Sequence, residues 1–214
     1  EGKELFEFRH ALVSDVIRGD LSRSEQRKMH RRIGEALEQL RPDDAILQEL
    51  ATHFTYGEAD DKAVHYALKA ASVCRAEFAN ESALRFYEFV IRHGGSLSQD
   101  QLCQAAIEGA EVCCALGFAK RGVKMLESQL RRARSITRCA RANMLAHLAL
   151  AYRHSGENTK QSVIAKSGLR VLEKEDASDS ETCCVIRALL LKELAFFDPP
   201  ETIEPVRPTG GVMA

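Results

Sequence analysis

Apolar residues recur every three or four positions along most of the chain, and glycines separate the periodic segments. Gly57, Gly94, Gly117 and Gly156 each follow such a segment, in positions typical of helix ends or of turns between packed helices. This spacing predicts an all-α chain. The predicted helices cover residues 9–18, 23–40, 44–56, 60–77, 80–93, 98–116, 118–134, 137–154, 159–174 and 179–196.

The two ends of the chain break this periodicity. Near the N-terminus, Leu5, Phe6 and Phe8 form a short run rich in aromatic residues, which predicts a strand remnant over 5–9. At the other end, residues 198–214 contain four prolines and a Gly-Gly pair. That composition predicts a disordered tail or a linker.

Three parts of the helical region share one pattern of small and large residues. Small residues let two antiparallel helices approach closely, and large ones fill the groove beside them. The clearest copy consists of Leu47, Leu50, Ala51, Phe54, Ala63, Ala67 and Ala70. A second copy comprises Leu145, Leu148, Ala149, Tyr152, Gly156, Ala165 and Gly168, and a weaker one Ala106, Gly109, Ala110, Gly117, Gly122 and Leu126. This is the pattern of a tetratricopeptide unit, so we predict a right-handed helical-hairpin solenoid, although a strict period of about 34 residues is not kept.

The composition narrows the class of protein. With 45% hydrophobic and 29% charged residues the chain can bury a core, and its net charge of −1 provides no general attraction to nucleic acid or to anionic membranes. No apolar run approaches the roughly 20 residues that cross a bilayer, and no secretory signal opens the chain, so we expect a cytoplasmic protein. The seven cysteines lack CxxC or zinc-type spacing, which favours reduced thiols packed as small apolar groups.

The N-terminal stretch carries a further pattern, an aromatic-x-Phe-x-His motif followed by a basic helix. Its positions are Phe6, Phe8, His10, Leu12, Val13 and Asp15, then Arg27, Lys28, Met29, His30 and Ile33. Residues 6–91 thereby resemble a segment of large multidomain signalling ATPases of the STAND group, in which an AAA-type ATPase core and a winged-helix region precede tetratricopeptide repeats. Such segments occur in bacterial serine/threonine kinases with appended ATPases, in soluble-type class III adenylyl cyclases and in large LuxR-type transcription regulators.

The resemblance implies a domain organisation and a function. Residues 1–41 would be the end of a winged-helix region with connector helices, 42–197 the repeats and 198–214 the tail. It implies a non-catalytic protein-interaction and regulatory module of a signal-transduction ATPase, with ATP and Mg²⁺ bound by an upstream domain. No Walker, kinase or GxGxxG motif occurs in the sequence, so we expect no catalytic, cofactor-binding or metal-binding residue within it. The alternative is the regulatory part of an adenylyl cyclase or serine/threonine kinase whose catalytic domain lies outside the chain.

One set of polar residues is a candidate for binding a protein or peptide. In tetratricopeptide arrays the first helix of each hairpin lines the concave face, and we assign that role to helices 44–56, 98–116 and 137–154. The candidate groove residues are Gln48, Thr52, Asn143 and His147. Simple solvent exposure of these side chains is the alternative.

A basic stretch is a candidate for binding an anionic partner. Its members are Arg131, Arg132, Arg134, Arg138 and Arg141. Solvated helix ends would account for the same charges, because cations interact favourably with a helix C-terminus. His10 and His30 are candidates for nucleotide sensing, with hydrogen bonding at a helix start as the alternative.

Overall fold

The computed structural model describes residues 19–39, 44–58, 60–173 and 181–197, and all regular secondary structure in these ranges is helical. The helices are α1 (Arg23–Gln39), α2 (Asp44–Tyr56), α3 (Asp60–Ala76), α4 (Asn80–His93), α5 (Gln99–Ala115), α6 (Ala119–Arg132), α7 (Arg138–His154), α8 (Asn158–Glu173) and α9 (Glu181–Phe197). Every helix predicted from residue 23 onward is present, with bounds that differ by at most two residues. The all-α prediction is therefore confirmed for the described residues. The predicted strand at 5–9, helix at 9–18 and tail at 198–214 lie outside them.

The chain divides into two compact units, Glu1–Val112 and Cys113–Ala214. In the first unit, α1 packs on α2, α2 on α3, and α3 on α4. In the second, α6 packs on α7, α7 on α8, and α9 packs on both α7 and α8. Each unit is thus a succession of helices in which neighbours along the chain are neighbours in space, as expected of a helical repeat.

The residues that the sequence assigns to packing lie in the core of both units. In the first, Leu50, Ala51, Phe54, Ala63, Ala67 and Ala70 are all at most 1% exposed. In the second, Leu145, Leu148, Ala149, Tyr152, Ala165 and Gly168 are buried. The fit is tight at Gly168, because a Cβ added there would lie 2.7 Å from Cδ2 of Leu190 on α9. The absence of a side chain on Gly168 allows α9 to approach α8 this closely.

Four turns share an unusual backbone conformation. Glu58, Phe78, Gly117 and Gly156 all have a positive φ, between 50° and 79°. After the last three, the next N–H donates to a carbonyl five positions earlier, a Schellman bond that ends a helix. These bonds run from Ala79 to Cys74 (2.8 Å), from Phe118 to Cys113 (2.7 Å) and from Glu157 to Tyr152 (2.9 Å). Glycine adopts this conformation without strain, whereas Phe78 adopts it with a bulky side chain.

The turns also fix the register of the repeat. In three segments, the same seven positions around the positive-φ residue are buried. They are Ala67, Ala70, Ala71, Cys74, Ala83, Tyr87 and Val90, then Ala106, Gly109, Ala110, Cys113, Gly122, Leu126 and Gln129, then Leu145, Leu148, Ala149, Tyr152, Gln161, Ala165 and Gly168. Successive copies are offset by 39 residues, from Ala67 to Ala106 to Leu145. The copy that starts at Leu47 overlaps the first of them, because α3 belongs to both.

Three buried tyrosines connect helices through carboxylates. The hydroxyl of Tyr66 donates to Oε1 of Glu38 (2.8 Å), that of Tyr87 to Oε2 of Glu108 (2.8 Å), and that of Tyr152 to Oε1 of Glu127 (2.5 Å). Burial, followed by the hydrogen bond to the carboxylate, raises the pKa of Tyr66 and of Tyr152 to about 12. The same causes raise the pKa of Tyr87. The fold therefore stabilises the protonated phenols.

We predict that Phe78→Gly raises the free energy of unfolding by about 0.5–1 kcal/mol, because the left-handed conformation costs an L-residue roughly 1–2 kcal/mol and the chain entropy of glycine offsets part of the gain. The Phe78 side chain is 86% exposed, so its removal sacrifices little burial.

Gly117→Ala should lower the free energy of unfolding by about 1–2 kcal/mol, because alanine in the left-handed conformation is strained. Gly95→Ala is the control, since a Cβ at either glycine meets nothing within 4 Å but only Gly117 has a positive φ. Urea denaturation measures the free energy of unfolding of all three variants. If Phe78→Gly lowers this free energy, the backbone at Phe78 is not strained and the prediction is wrong.

We also predict that stability falls as the pH rises from about 10 to about 12, and that Tyr152→Phe makes this fall shallower. Tyrosine in the unfolded chain has a pKa near 10, whereas the pKa of folded Tyr152 is about 12. The folded state therefore holds the proton more tightly and loses that advantage across this interval. The variant should also lose about 1.5 kcal/mol at pH 8, as expected for a hydrogen bond to a charged group. Urea denaturation at pH 8 and pH 11 tests this, and an equal loss in both proteins between the two pH values would contradict it.

Candidate functional site

A cleft of about 340 Å³ lies between α2 and α4 in the first unit, and its walls carry aromatic and charged side chains. The lining residues are Thr52, Thr55 and Tyr56 from α2, and Arg85, Phe86, Glu88, Phe89 and Arg92 from α4. The cleft is open to solvent, so it can admit a segment of another chain.

The packing of α3 explains why these side chains face the cleft. Because α3 packs on both α2 and α4, each of the two flanking helices turns its apolar stripe inward. On α4 the buried stripe consists of Ala83, Leu84, Tyr87 and Val90. Arg85 and Arg92 lie outside this stripe and are exposed, whereas Phe86 and Phe89 are half-buried. On α2, Thr52 and Tyr56 occupy the corresponding exposed stripe.

Aromatic rings provide the apolar part of the cleft. Tyr56 is 62% exposed, and its ring centroid lies 5.1 Å from that of His30 on α1. Phe89 stacks on His93, with the ring centroids 4.6 Å apart and the planes inclined by 22°. These contacts orient two aromatic rings that line the cleft.

Charged groups flank the rings. Arg85 and Arg92 are seven positions apart on α4, which corresponds to about 10.5 Å along a helix. Nη2 of Arg85 donates to Oγ of Ser82 at 3.1 Å, which leaves the other nitrogens of the guanidinium to meet a carboxylate. Glu88 lies between the two arginines along the helix. The cleft therefore presents positive charge at two points with a negative charge between them.

The structure distributes the four predicted groove residues over two helices. Thr52 lines the cleft, and Gln48 lies one turn earlier on α2, with its carbonyl oxygen accepting from Oγ1 of Thr52 at 2.7 Å. Asn143 and His147 lie one turn apart on α7 in the second unit, and both are half-buried. The α2–α4 cleft includes neither of them.

The sequence reasoning did not identify the α4 side of the cleft. The groove was assigned to helices 44–56, 98–116 and 137–154, so residues 80–93 were not among the candidates. The available signal was the exposed stripe of α4, in which Arg85, Phe89 and Arg92 follow one another at helical spacing.

The predicted basic stretch occupies the end of α6, the following loop and the start of α7. Arg131, Arg132, Arg134 and Arg138 are exposed, and Arg141 is half-buried. Nη1 of Arg131 lies 4.0 Å from Oε2 of Glu127, and Nη2 of Arg141 donates to the carbonyl of Ala133 at 3.4 Å. Binding of an anionic partner here stays a prediction.

The histidines named in the sequence analysis have different surroundings. His10 lies outside the described residues. The Nδ1 atoms of His30 on α1 and His53 on α2 are 3.0 Å apart, so one ring donates a hydrogen bond to the other. Arg27 pairs with Glu58 at 3.0 Å beside them. These contacts make His30 part of the interface between α1 and α2.

Residues 19–39, 44–58, 60–173 and 181–197 contain no group of three or more His, Cys, Asp or Glu side chains placed to hold a metal ion. No helix within those same ranges is both long enough and apolar enough to cross a membrane. In comparisons with protein-family models, curated proteins and solved structures, no match to this chain is found.

Proposed function

We propose that this chain is a non-catalytic helical-repeat module that captures an extended segment of a partner protein in the α2–α4 cleft. The observation that carries the proposal is the lining of that cleft, where Arg85 and Arg92 flank the half-buried rings of Phe86 and Phe89. Aromatic and arginine side chains are the ones that contribute most to binding at protein interfaces. The presence of Thr52 in the same cleft agrees with its assignment as a groove residue.

The spacing of the arginines suggests the chemistry of the partner. A polyproline II segment has three residues per turn and rises 3.1 Å per residue, so residues i and i+3 lie on one side about 9.3 Å apart. Two acidic residues at that spacing match the roughly 10.5 Å between Arg85 and Arg92, and the flexible guanidinium groups absorb the difference. An apolar residue between the two acids would contact Phe86 or Phe89.

Glu88 adds a basis for discrimination. Glu88 lies between the two arginines along α4 and lines the same cleft, so an acidic residue in the middle of the bound segment would meet a like charge. The expected ligand is therefore acidic at two positions and apolar between them. A continuous acidic run should bind less well.

Two further features bear on the kind of protein in which this module would act: the 39-residue repeat and the resemblance to STAND ATPases. The recurrence of seven buried positions every 39 residues supports a tetratricopeptide-like, right-handed solenoid. The resemblance of residues 6–91 to STAND ATPases supports a regulatory role in a cytoplasmic signal-transduction protein whose upstream domain binds ATP and Mg²⁺. In that arrangement α1 would connect the cleft to the upstream domain, since α1 packs on α2 and His30 contacts Tyr56.

We predict that a fluorescein-labelled peptide of sequence GELPEG binds the chain and that GKLPKG does not, as measured by fluorescence anisotropy. Exchange of both cleft arginines, Arg85→Glu with Arg92→Glu, should weaken binding at least about tenfold, which corresponds to about 1.4 kcal/mol. Both side chains are exposed, so the free energy of unfolding should change by less than about 0.5 kcal/mol per substitution.

The matched control is Arg170→Glu with Arg187→Glu, which makes the same change in net charge at exposed positions of α8 and α9. This control should bind GELPEG as the parent chain does at 0.15 M salt, where charges distant from the ligand are screened. Equal weakening by both double variants would show general electrostatic attraction and contradict the cleft. Failure of GELPEG to bind the parent chain would contradict the proposed ligand chemistry.

A further inference from the structure

Two cysteines from different helices of the second unit meet side by side. Sγ of Cys183 on α9 lies 3.1 Å from Sγ of Cys139 on α7, although the two residues are 44 positions apart in the chain. Cys183 belongs to the buried cluster that joins α7, α8 and α9, and Cys139 is packed against that cluster. None of the seven cysteines, all of which lie in the described ranges, forms a disulfide.

The separation of the two sulfurs is close to what a covalent bond needs. A disulfide bond is about 2.05 Å long. The sulfurs at 3.1 Å would have to approach by about 1 Å to form this bond. We propose that Cys139 and Cys183 are a redox-sensitive pair, which a peroxide converts into a disulfide that links α7 to α9.

The surroundings assign different roles to the two thiols. Cys139 is partly exposed and lies in the first turn of α7, where Thr137 caps the helix by accepting the N–H of Ala140 at 3.1 Å. The positive end of the helix dipole favours a thiolate at such a position, and the thiolate is the form that attacks an oxidant. Cys183 is only 7% exposed, so the sulfur it can reach is that of Cys139.

The chemistry balances with hydrogen peroxide as the oxidant. The Cys139 thiolate attacks one peroxide oxygen, the O–O bond breaks, and the products after proton transfer are a sulfenic acid and one water. The Cys183 sulfur then attacks the sulfenic sulfur, the S–O bond breaks, and a second water leaves as the S–S bond forms. The two thiols lose two electrons in total and the peroxide gains two.

Neighbouring cysteines should not substitute for this pair. Cys184 is exposed, but consecutive residues on an α-helix point about 100° apart, so its thiol points away from the contact that Cys183 makes. Cys74 is buried in the first unit, and burial raises the pKa of its thiol, which keeps it protonated and unreactive. Neither Cys184 nor Cys74 should therefore enter the internal disulfide.

The test is to treat the dilute chain with hydrogen peroxide, count reactive thiols after denaturation, and map cross-linked peptides by mass spectrometry. The expected result is a fall in reactive thiols from seven to five and a mass loss of 2 Da located in a peptide pair that contains Cys139 and Cys183. Dithiothreitol should reverse both changes. Hydrogen exchange in α9 should slow on oxidation, because the disulfide ties that helix to α7.

Variants distinguish this pair from other cysteines. Cys139→Ser and Cys183→Ser should each abolish the internal disulfide and the slower exchange in α9, whereas Cys184→Ser should leave both unchanged. The proposal is wrong if the linked peptides contain Cys184, if the chain only forms intermolecular disulfides, or if Cys139→Ser loses two thiols to an internal disulfide as the parent does. Circular dichroism confirms that each variant keeps its helix content before oxidation, and a variant that fails to fold is replaced by the corresponding alanine substitution.

Discussion

Helices in both units approach each other closely at small buried residues, and this packing determines which side chains are left on the surface. At Gly34 a Cβ would lie 2.9 Å from the ring of Phe54, and at Gly168 it would lie 2.7 Å from Leu190. Interfaces made of alanine and glycine bury little apolar area per residue, so polar contacts between helices add to the packing. The buried Gln161 is one example, since its Nε2 donates to the carbonyl and to Oε2 of Glu193 at 2.9 and 3.0 Å.

The same packing positions the proposed binding surface. Because α3 occupies the space between α2 and α4, the outer stripes of those two helices are left to border a cleft. Helices α1 and α2 also pack closely, since His30 on α1 contacts both His53 and Tyr56 on α2. A ligand that contacts Tyr56 therefore touches a side chain that is itself in contact with α1. If the chain has the regulatory role proposed above, these contacts are the route by which binding at the cleft would change the orientation of α1.

Much of the fold could be predicted from the sequence, because the periodicity of apolar residues and the turn glycines act locally. The packing positions from Leu47 to Phe54 were identified for this reason. The 39-residue repeat was missed because Phe78 occupies a turn position where glycine is typical, and Gln161 a position where a small residue is typical. The α4 side of the cleft and the contact of Cys139 with Cys183 depend on which helices become neighbours in the fold. No local sequence pattern predicts those neighbours.

Binding of the peptide in the α2–α4 cleft is tested most directly by locating the bound peptide on the chain. A GELPEG peptide with a photoreactive benzoylphenylalanine in place of its leucine would be cross-linked under light and the attachment sites read by mass spectrometry. We expect cross-links to Tyr56, Phe86 and Phe89, which line the cleft. Cross-links confined to α7 near Asn143 and His147, or to the basic stretch, would contradict it.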